Sequence, residues 1–275
     1  MEHIPQLVIA VLSAITLILI IIRIGSTPGN VRKQPDIGKS MTIGDRELQE
    51  DCMEVAESRE GLMAVLSDGM GKKYGGRVSS KIVVETFCDI FQDSSAFNNP
   101  KYFFQRSFQN ANRQILTNLE EGSGAASAAS VLIKGKTMYH AGVGNVRIAV
   151  FRNGELIRVT AGHTVDVLAK ERYVSGNLSR QSAVSLLENH RLYNYVGQDE
   201  FNDIEFFDEA ITLKSRDIVV LMSDGIYEVL MDGELEEILT RAADCQKTAY
   251  EIVERVNKSS EANKDNASII LIRIN

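Results

Sequence analysis

The acidic residues best placed to do chemistry stand at the ends of apolar runs. Asp68 lies in Ser67-Asp68-Gly69 after the run at residues 62–66, and Asp224 lies in Ser223-Asp224-Gly225 after residues 217–222. Asp265, in Lys264-Asp265-Asn266, precedes the run at residues 267–272. A strand that ends in Asp-Gly presents a carboxylate at its tip, and the glycine permits a sharp turn or a close backbone approach. One such tip is ordinarily a turn. Tips on separate strand-like runs can meet in a fold and hold a cation, and their hard oxygen donors suit Mg2+ or Mn2+ rather than the zinc that thiolates bind.

Other chemistries find no support. Gly69-Met70-Gly71-Lys72-Lys73 lacks the first glycine and the Ser or Thr of a phosphate loop, and Gly142-Val143-Gly144-Asn145-Val146-Arg147 lacks the last glycine of a dinucleotide fingerprint. There is no Gly-x-Ser-x-Gly elbow. His3, His140, His163 and His190 are not spaced as zinc ligands, and Cys52, Cys88 and Cys245 form neither a zinc pattern nor a disulfide framework. Lys plus Arg total 30 against 37 for Asp plus Glu, a net charge of −7. That balance argues against a nucleic-acid partner.

The elements that must position the carboxylates alternate between two periods. Strand-like runs occupy residues 62–66, 129–133, 137–140, 146–151, 218–222 and 268–274, and helical spacing occupies 78–91, 100–119 and 245–258. Asn153-Gly154 between apolar-alternating flanks predicts a hairpin, and Gly135 predicts another. Hairpins imply antiparallel sheets, with the helices packed outside them.

The N-terminus departs from this pattern. Residues 4–24 carry Arg23 as their only charge, a length that spans a bilayer as a helix. Arg23, Arg32, Lys33 and Lys39 all follow the apolar stretch, so the positive-inside rule places the rest of the chain on the cytoplasmic side, where free cysteines are at home. The expected organisation is a transmembrane signal-anchor at residues 1–24, a polar linker at 25–40 and one catalytic domain at 41–275.

Arg46 with Glu50-Asp51, Asp68-Gly69-Met70-Gly71, Gly142-Val143-Gly144-Asn145, Ser223-Asp224-Gly225 and Asp265-Asn266 stand in a recognisable order. From about residue 41 to 275 the chain resembles the metal-dependent protein phosphatases of the 2C type, and Asp68-Gly69-Met70-Gly71 is most similar to the bacterial branch. The resemblance implies an α+β fold, an antiparallel β-sandwich with helices on both outer faces. It implies hydrolysis of phosphoserine and phosphothreonine in phosphorylated proteins at a binuclear Mn2+ or Mg2+ centre. By the same resemblance Asp68 bridges both ions and Gly69 lends a carbonyl to one. Asp224 and Asp265 serve the other, Glu50 and Asp51 hold the centre partly through water, and Arg46 grips the substrate phosphate. A water shared by two divalent cations readily loses a proton for in-line attack, and a guanidinium fork can hold two phosphoryl oxygens. Two alternatives stay open: a catalytically silent binding module, and a phosphatase of small phosphorylated molecules.

The chain departs from the family pattern at two places. Met70 stands where the eukaryotic branch has a histidine, which leaves water at the metals or a group such as His163 to protonate the leaving alkoxide. The flap, residues 164–189, is polar and partly helical, with Arg172, Arg180 and Arg191 available to a phosphoprotein. Asn145 replaces the family's aspartate at a third, weaker metal position. Restoring the charge in Asn145→Asp is expected to lower the half-saturating Mn2+ concentration several-fold, because ligand charge tunes affinity for such ions. A metal titration of activity that is superimposable on the parent's would remove Asn145 from the metal site.

Overall fold

The computed structural model describes residues 15–18, 35–93, 96–120, 123–187, 191–201 and 203–275. The chain divides into two units, Met1–Gln34 and Pro35–Asn275. Of the first, only the helical turn at residues 15–18 is described, so the expected membrane span lies almost wholly outside the described residues. Among the described residues no helix is long and apolar enough to cross a membrane.

Among the described residues, eleven strands build the second unit: β1 (Asp36–Thr42), β2 (Cys52–Glu57), β3 (Leu62–Gly71), β4 (Gly124–Lys134), β5 (Thr137–Val143), β6 (Arg147–Arg152), β7 (Glu155–Arg158), β8 (Glu205–Phe206), β9 (Ile211–Thr212), β10 (Ile218–Met222) and β11 (Ala267–Arg273). One sheet runs β1-β11-β10-β6-β7 and the other β2-β3-β4-β5-β8, with β9 also on β5. Every pairing is antiparallel. The helices are α1 (Gly75–Asp93), α2 (Pro100–Asn118), α3 (Val165–Val174), α4 (Arg180–Val184), α5 (Asp224–Tyr227), α6 (Asp232–Thr240) and α7 (Cys245–Lys258).

Strand period explains why the central strands read as unbroken apolar runs. In β11, Ile270 and Ile272 pack between the sheets, while Ile269 and Leu271 pack outward with Leu235 and Ile238 of α6 and Ile252 and Val253 of α7. β3 behaves likewise: Leu62, Ala64 and Leu66 face the other sheet, and Met63 and Val65 face Phe87 of α1 and Phe104 and Phe108 of α2. A strand buried on both faces has no polar side to show. The result is helices, sheet, sheet, helices, as expected. Both hairpins are also present. Asn153 and Gly154 take φ of 54° and 90°, as a type I′ turn requires, and Gly135 takes 62°.

The linker boundary needs correction. Residues 36–40 are strand rather than tether, because Asp36–Thr42 pairs along the whole of β11 from Asp36↔Arg273 to Thr42↔Ala267. Gly38 read as linker composition, yet it is a packing residue. A Cβ there would run into the Cys245 carbonyl at the start of α7. Gly38→Val is therefore expected to lower stability by about 1–3 kcal/mol through overpacking. Gly233→Ala in α6, where nothing lies within 4 Å of the added carbon, should instead raise it by about 0.5 kcal/mol. Urea denaturation of the two variants checks both signs.

Candidate metal centre

The two Ser-Asp-Gly copies adopt different backbones. The first is not a strand tip: β3 continues through it, with Asp68 opposite Ser127 and Gly69 opposite Ala126 on β4. The second joins β10 to the single turn α5, with Ser223 as the residue before Asp224. Asp265 lies in the loop before β11, followed by Asn266. Both glycines serve close approach rather than a turn. A Cβ on Gly69 would meet the carbonyls of Gly76 and Glu50, and one on Gly225 the carbonyl of Asn266.

These elements bring the expected residues to one open cavity of about 230 Å³, lined by Arg46, Glu50, Asp68, Gly69, Asn145, Asp224 and Asp265. Met70, Gly71, Ser127 and Leu192 complete its wall, and the last two carried no sequence signal for a site. Asp51 lies behind the wall, 6 % exposed, within hydrogen-bonding reach of Asp68. Its Oδ2 accepts from the Ser223 hydroxyl at 2.9 Å, and that hydroxyl oxygen accepts from the Ser268 N–H at 2.9 Å. Arg46 Nη2 pairs with Asp265 Oδ2 at 2.6 Å.

Asn266 organises the loop that carries Arg46 and Glu50. Its Oδ1 accepts from the Glu50 N–H at 2.7 Å, and its Nδ2 donates to the carbonyls of Ile43 and Leu48 at 2.9 and 3.0 Å. Asn145 Nδ2 donates to Asp224 Oδ2 at 2.9 Å. The Tyr227 hydroxyl donates to the Asn145 carbonyl, also at 2.9 Å.

His163 is placed elsewhere. It is buried, its Nδ1 accepts from the Gly144 N–H at 3.0 Å, and it does not line the cavity. Burial also pushes its pKa down. It props the loop before Asn145 and is not positioned as an acid. Arg172, Arg180 and Arg191 are exposed on and after α3 and α4, and none lines the cavity.

The electrostatics are those of an anionic site short of cations. Burial pushes Asp51 up to about 6, against the hydrogen bond from the Ser223 hydroxyl. Burial, with Glu228, Asp265 and Asp51 adding to it, pushes Asp224 up to about 7. Asp68 rises well above the ordinary range, through burial and then the charges of Asp224, Asp51 and Asp265. Burial also raises Glu50, and Asp265 adds to the effect. Glu50 Oε1, Asp51 Oδ1 and Asn145 Oδ1 are buried with no hydrogen-bond donor. Among the described residues no three acidic, His or Cys side chains close a ligand cage unaided. Hard oxygens lacking donors, in an open cavity, fit Mg2+ or Mn2+ ions that retain several waters.

The raised groups set a pH dependence. An unfolded Asp titrates at about 3.9, so protonation of Asp51 and Asp224 favours the metal-free fold. That contribution is full below about pH 4 and is lost as pH rises through about 6 and 7. In chelator, Asp224→Asn is expected to melt a few degrees above the parent at about pH 8, and the gap should close towards about pH 5. Thermal melts across that range check it, and added Mn2+ should reverse the order because deprotonated carboxylates are the ligands.

Comparison with known proteins shows the family and the fold. The sequence profile "Protein phosphatase 2C" matches residues 37–265. The serine/threonine phosphatase stp of Listeria welshimeri is 23% identical over 239 residues, which is 84% of this chain and 92% of that protein. The protein phosphatase PhpP of Streptococcus pneumoniae is 23% identical over 219 residues, 78% of this chain and 86% of its own. Among solved structures, the S. agalactiae serine/threonine phosphatase matches with a TM-score of 0.74 at 22% identity, over 88% of this chain and 100% of that one. The catalytic domain of the serine/threonine protein phosphatase PstP, in complex with 2 manganese ions, matches with a TM-score of 0.70 at 20% identity, over 87% and 97%. With the profile spanning both sheets, from β1 to the threshold of β11, this chain belongs to the protein phosphatase 2C family.

Proposed function

We propose that this chain is a membrane-anchored, metal-dependent phosphatase that hydrolyses phosphoserine and phosphothreonine in proteins, with its catalytic unit on the cytoplasmic side. The observation that carries the chemistry is the convergence of Asp51, Asp68, Asp224 and Asp265: the first three have raised pKa values, and Glu50 Oε1 and Asp51 Oδ1 are buried without a donor, so the site calls for cationic partners. Asp68, the Gly69 carbonyl, Asp224 and Asp265 would together hold two Mn2+ or Mg2+ ions, with Asp68 common to both, Glu50 beside them and Asp51 behind. Bound there, such ions supply Lewis acidity, a more acidic water and neutralisation of charge on the phosphoryl oxygens.

The chain's own residues do the rest. Arg46 is about half exposed at the rim and carries its fork on a loop fixed by Asn266. An incoming phosphate competes with Asp265 for that fork and is thereby oriented. Ser223 and Ser268 hold Asp51 against Asp68 by neutral hydrogen bonds, which fix position without adding charge. With His163 turned to Gly144 and Met70 at the wall, solvent in the open cavity protonates the departing alkoxide. The apolar stretch at residues 4–24 and the following Arg23, Arg32 and Lys33 support the anchor and its orientation.

The full chain in detergent is expected to hydrolyse a phosphothreonine peptide only with Mn2+ or Mg2+, and to lose activity in chelator. Asp68→Asn should reduce kcat by about 10³-fold or more, as loss of a central electrostatic group does. Arg46→Ala should reduce kcat/KM by roughly 10–100-fold, the worth of a charge-assisted hydrogen bond. Activity on an aryl phosphate but on no phosphopeptide would point to small-molecule substrates. No metal-dependent turnover of either, above the Asp68→Asn background, would leave a silent binding module.

A further inference from the structure

A second cavity of about 280 Å³ adjoins the candidate centre, and Asn145 lines both. Its wall is cationic: Arg147 from β6, Arg158 from β7 and Lys170 from α3 all face it. Lys170 is matched by Asp166, Nζ to Oδ2 at 2.9 Å. The two arginines are not matched. Among the described residues neither forms an ion pair within 4.0 Å, although Asp232 and, on the same wall, Glu228 act on Arg147 from farther off.

Arg147 is held in place by something other than a counter-ion. Its guanidinium carbon stands 3.2 Å from the centre of the Tyr227 ring, and the Tyr227 hydroxyl is fixed on the Asn145 carbonyl. A stacked guanidinium keeps its edge donors pointing outward, preorganised for an oxyanion. Burial and the neighbouring Arg158 both work against its charge, so an anion arriving there relieves a standing deficit. The Thr160 hydroxyl oxygen, on the same wall, already accepts from the Ile148 N–H at 2.9 Å and fixes the β6–β7 end of the cavity.

We propose that this cavity is a subsite for a second anionic side chain of the phosphoprotein substrate, a carboxylate or another phosphate, received by Arg147 and Arg158 while the scissile phosphate occupies the centre. The inference rests on the protein-phosphatase reading above and assigns that site a substrate class: phosphorylated segments with a further negative charge close by. Asn145 stands in both walls, so the two cavities are neighbours and one short segment can reach both.

The test uses the full chain and three phosphothreonine peptides: one flanked by neutral residues, one with a glutamate at each flanking position in turn, and one with a phosphoserine there instead. Dissociation constants are read in chelator by fluorescence polarisation, and kcat/KM is read with Mn2+. The expected result is about tenfold tighter binding and faster turnover of an anion-flanked peptide at one position, the worth of one charge-assisted contact. The glutamate and phosphoserine arms decide which anion is preferred. The ratio between anionic and neutral peptides should fall towards one in Arg158→Gln and in Arg147→Met, and Arg158→Lys should keep most of it. Equal dissociation constants for all peptides on the parent chain, or a ratio that survives in Arg147→Met/Arg158→Gln, would overturn the subsite. A binding preference that is intact while no peptide is hydrolysed would instead overturn the phosphatase reading and leave the subsite standing.

Discussion

Mutual repulsion among Asp51, Asp68, Asp224 and Asp265 is the constraint on which the structure turns. Burial of even one unpaired charge costs several kcal/mol, and here Asp51, Asp68 and Asp224 are buried together while Asp265 adds its charge from the rim. Such a cluster persists only where the backbone behind it cannot give way. That backbone is β3, β10 and β11, whose side chains are buried on both faces, between the sheets and beneath the helices. To spread the carboxylates, the sandwich itself would have to open. The fold's rigidity is therefore the condition for a site that is unstable by itself and becomes favourable with cations.

Neutral groups do the local positioning. Ser223, Ser268, Asn266 and Asn145 donate to carboxylates, carbonyls or one another and bring no additional negative charge. Asn145 shows what the choice of a neutral residue does. A carboxylate in its place would face Asp224 Oδ2, now 2.9 Å from the amide, and would raise the repulsion in the absence of metal. The amide relieves Asp224 and gives up a charged donor for any further ion. Through its carbonyl, Asn145 also anchors Tyr227 and so the stacked Arg147. One residue thus joins the acidic cavity to the basic one.

The sequence revealed what depends on burial and composition. Runs such as residues 218–222 are apolar throughout because both faces are covered, and Asn153-Gly154 announced its turn because few other pairs accept positive φ twice. It concealed what depends on distant partners. Gly38-Lys39-Ser40 looks like a tether until β11 lies beside it and α7 above it. Ser223 meets Asp51 across 172 positions and Asn266 meets Glu50 across 216, so no local pattern could have given them roles. His163 was ambiguous for the same reason, since a histidine's task is set by whichever donor faces its ring nitrogen.

The repeated Ser-Asp-Gly shows where reading by motif stops. Its two copies share composition but not conformation: one lies within paired strand and the other breaks into a helical turn. What they share is tertiary. In each, the glycine lets a second backbone come too near for any Cβ, Gly76 and Glu50 in one case and Asn266 in the other. In each, the serine hydroxyl bonds to a neighbouring segment, Ser67 to the Ser127 carbonyl at 3.0 Å and Ser223 to Asp51. The tripeptide is thus a way of packing a carboxylate where two backbones nearly touch. Close contact of that kind excludes water from behind the carboxylate and leaves it open only towards the cavity, which is where a cation must come from.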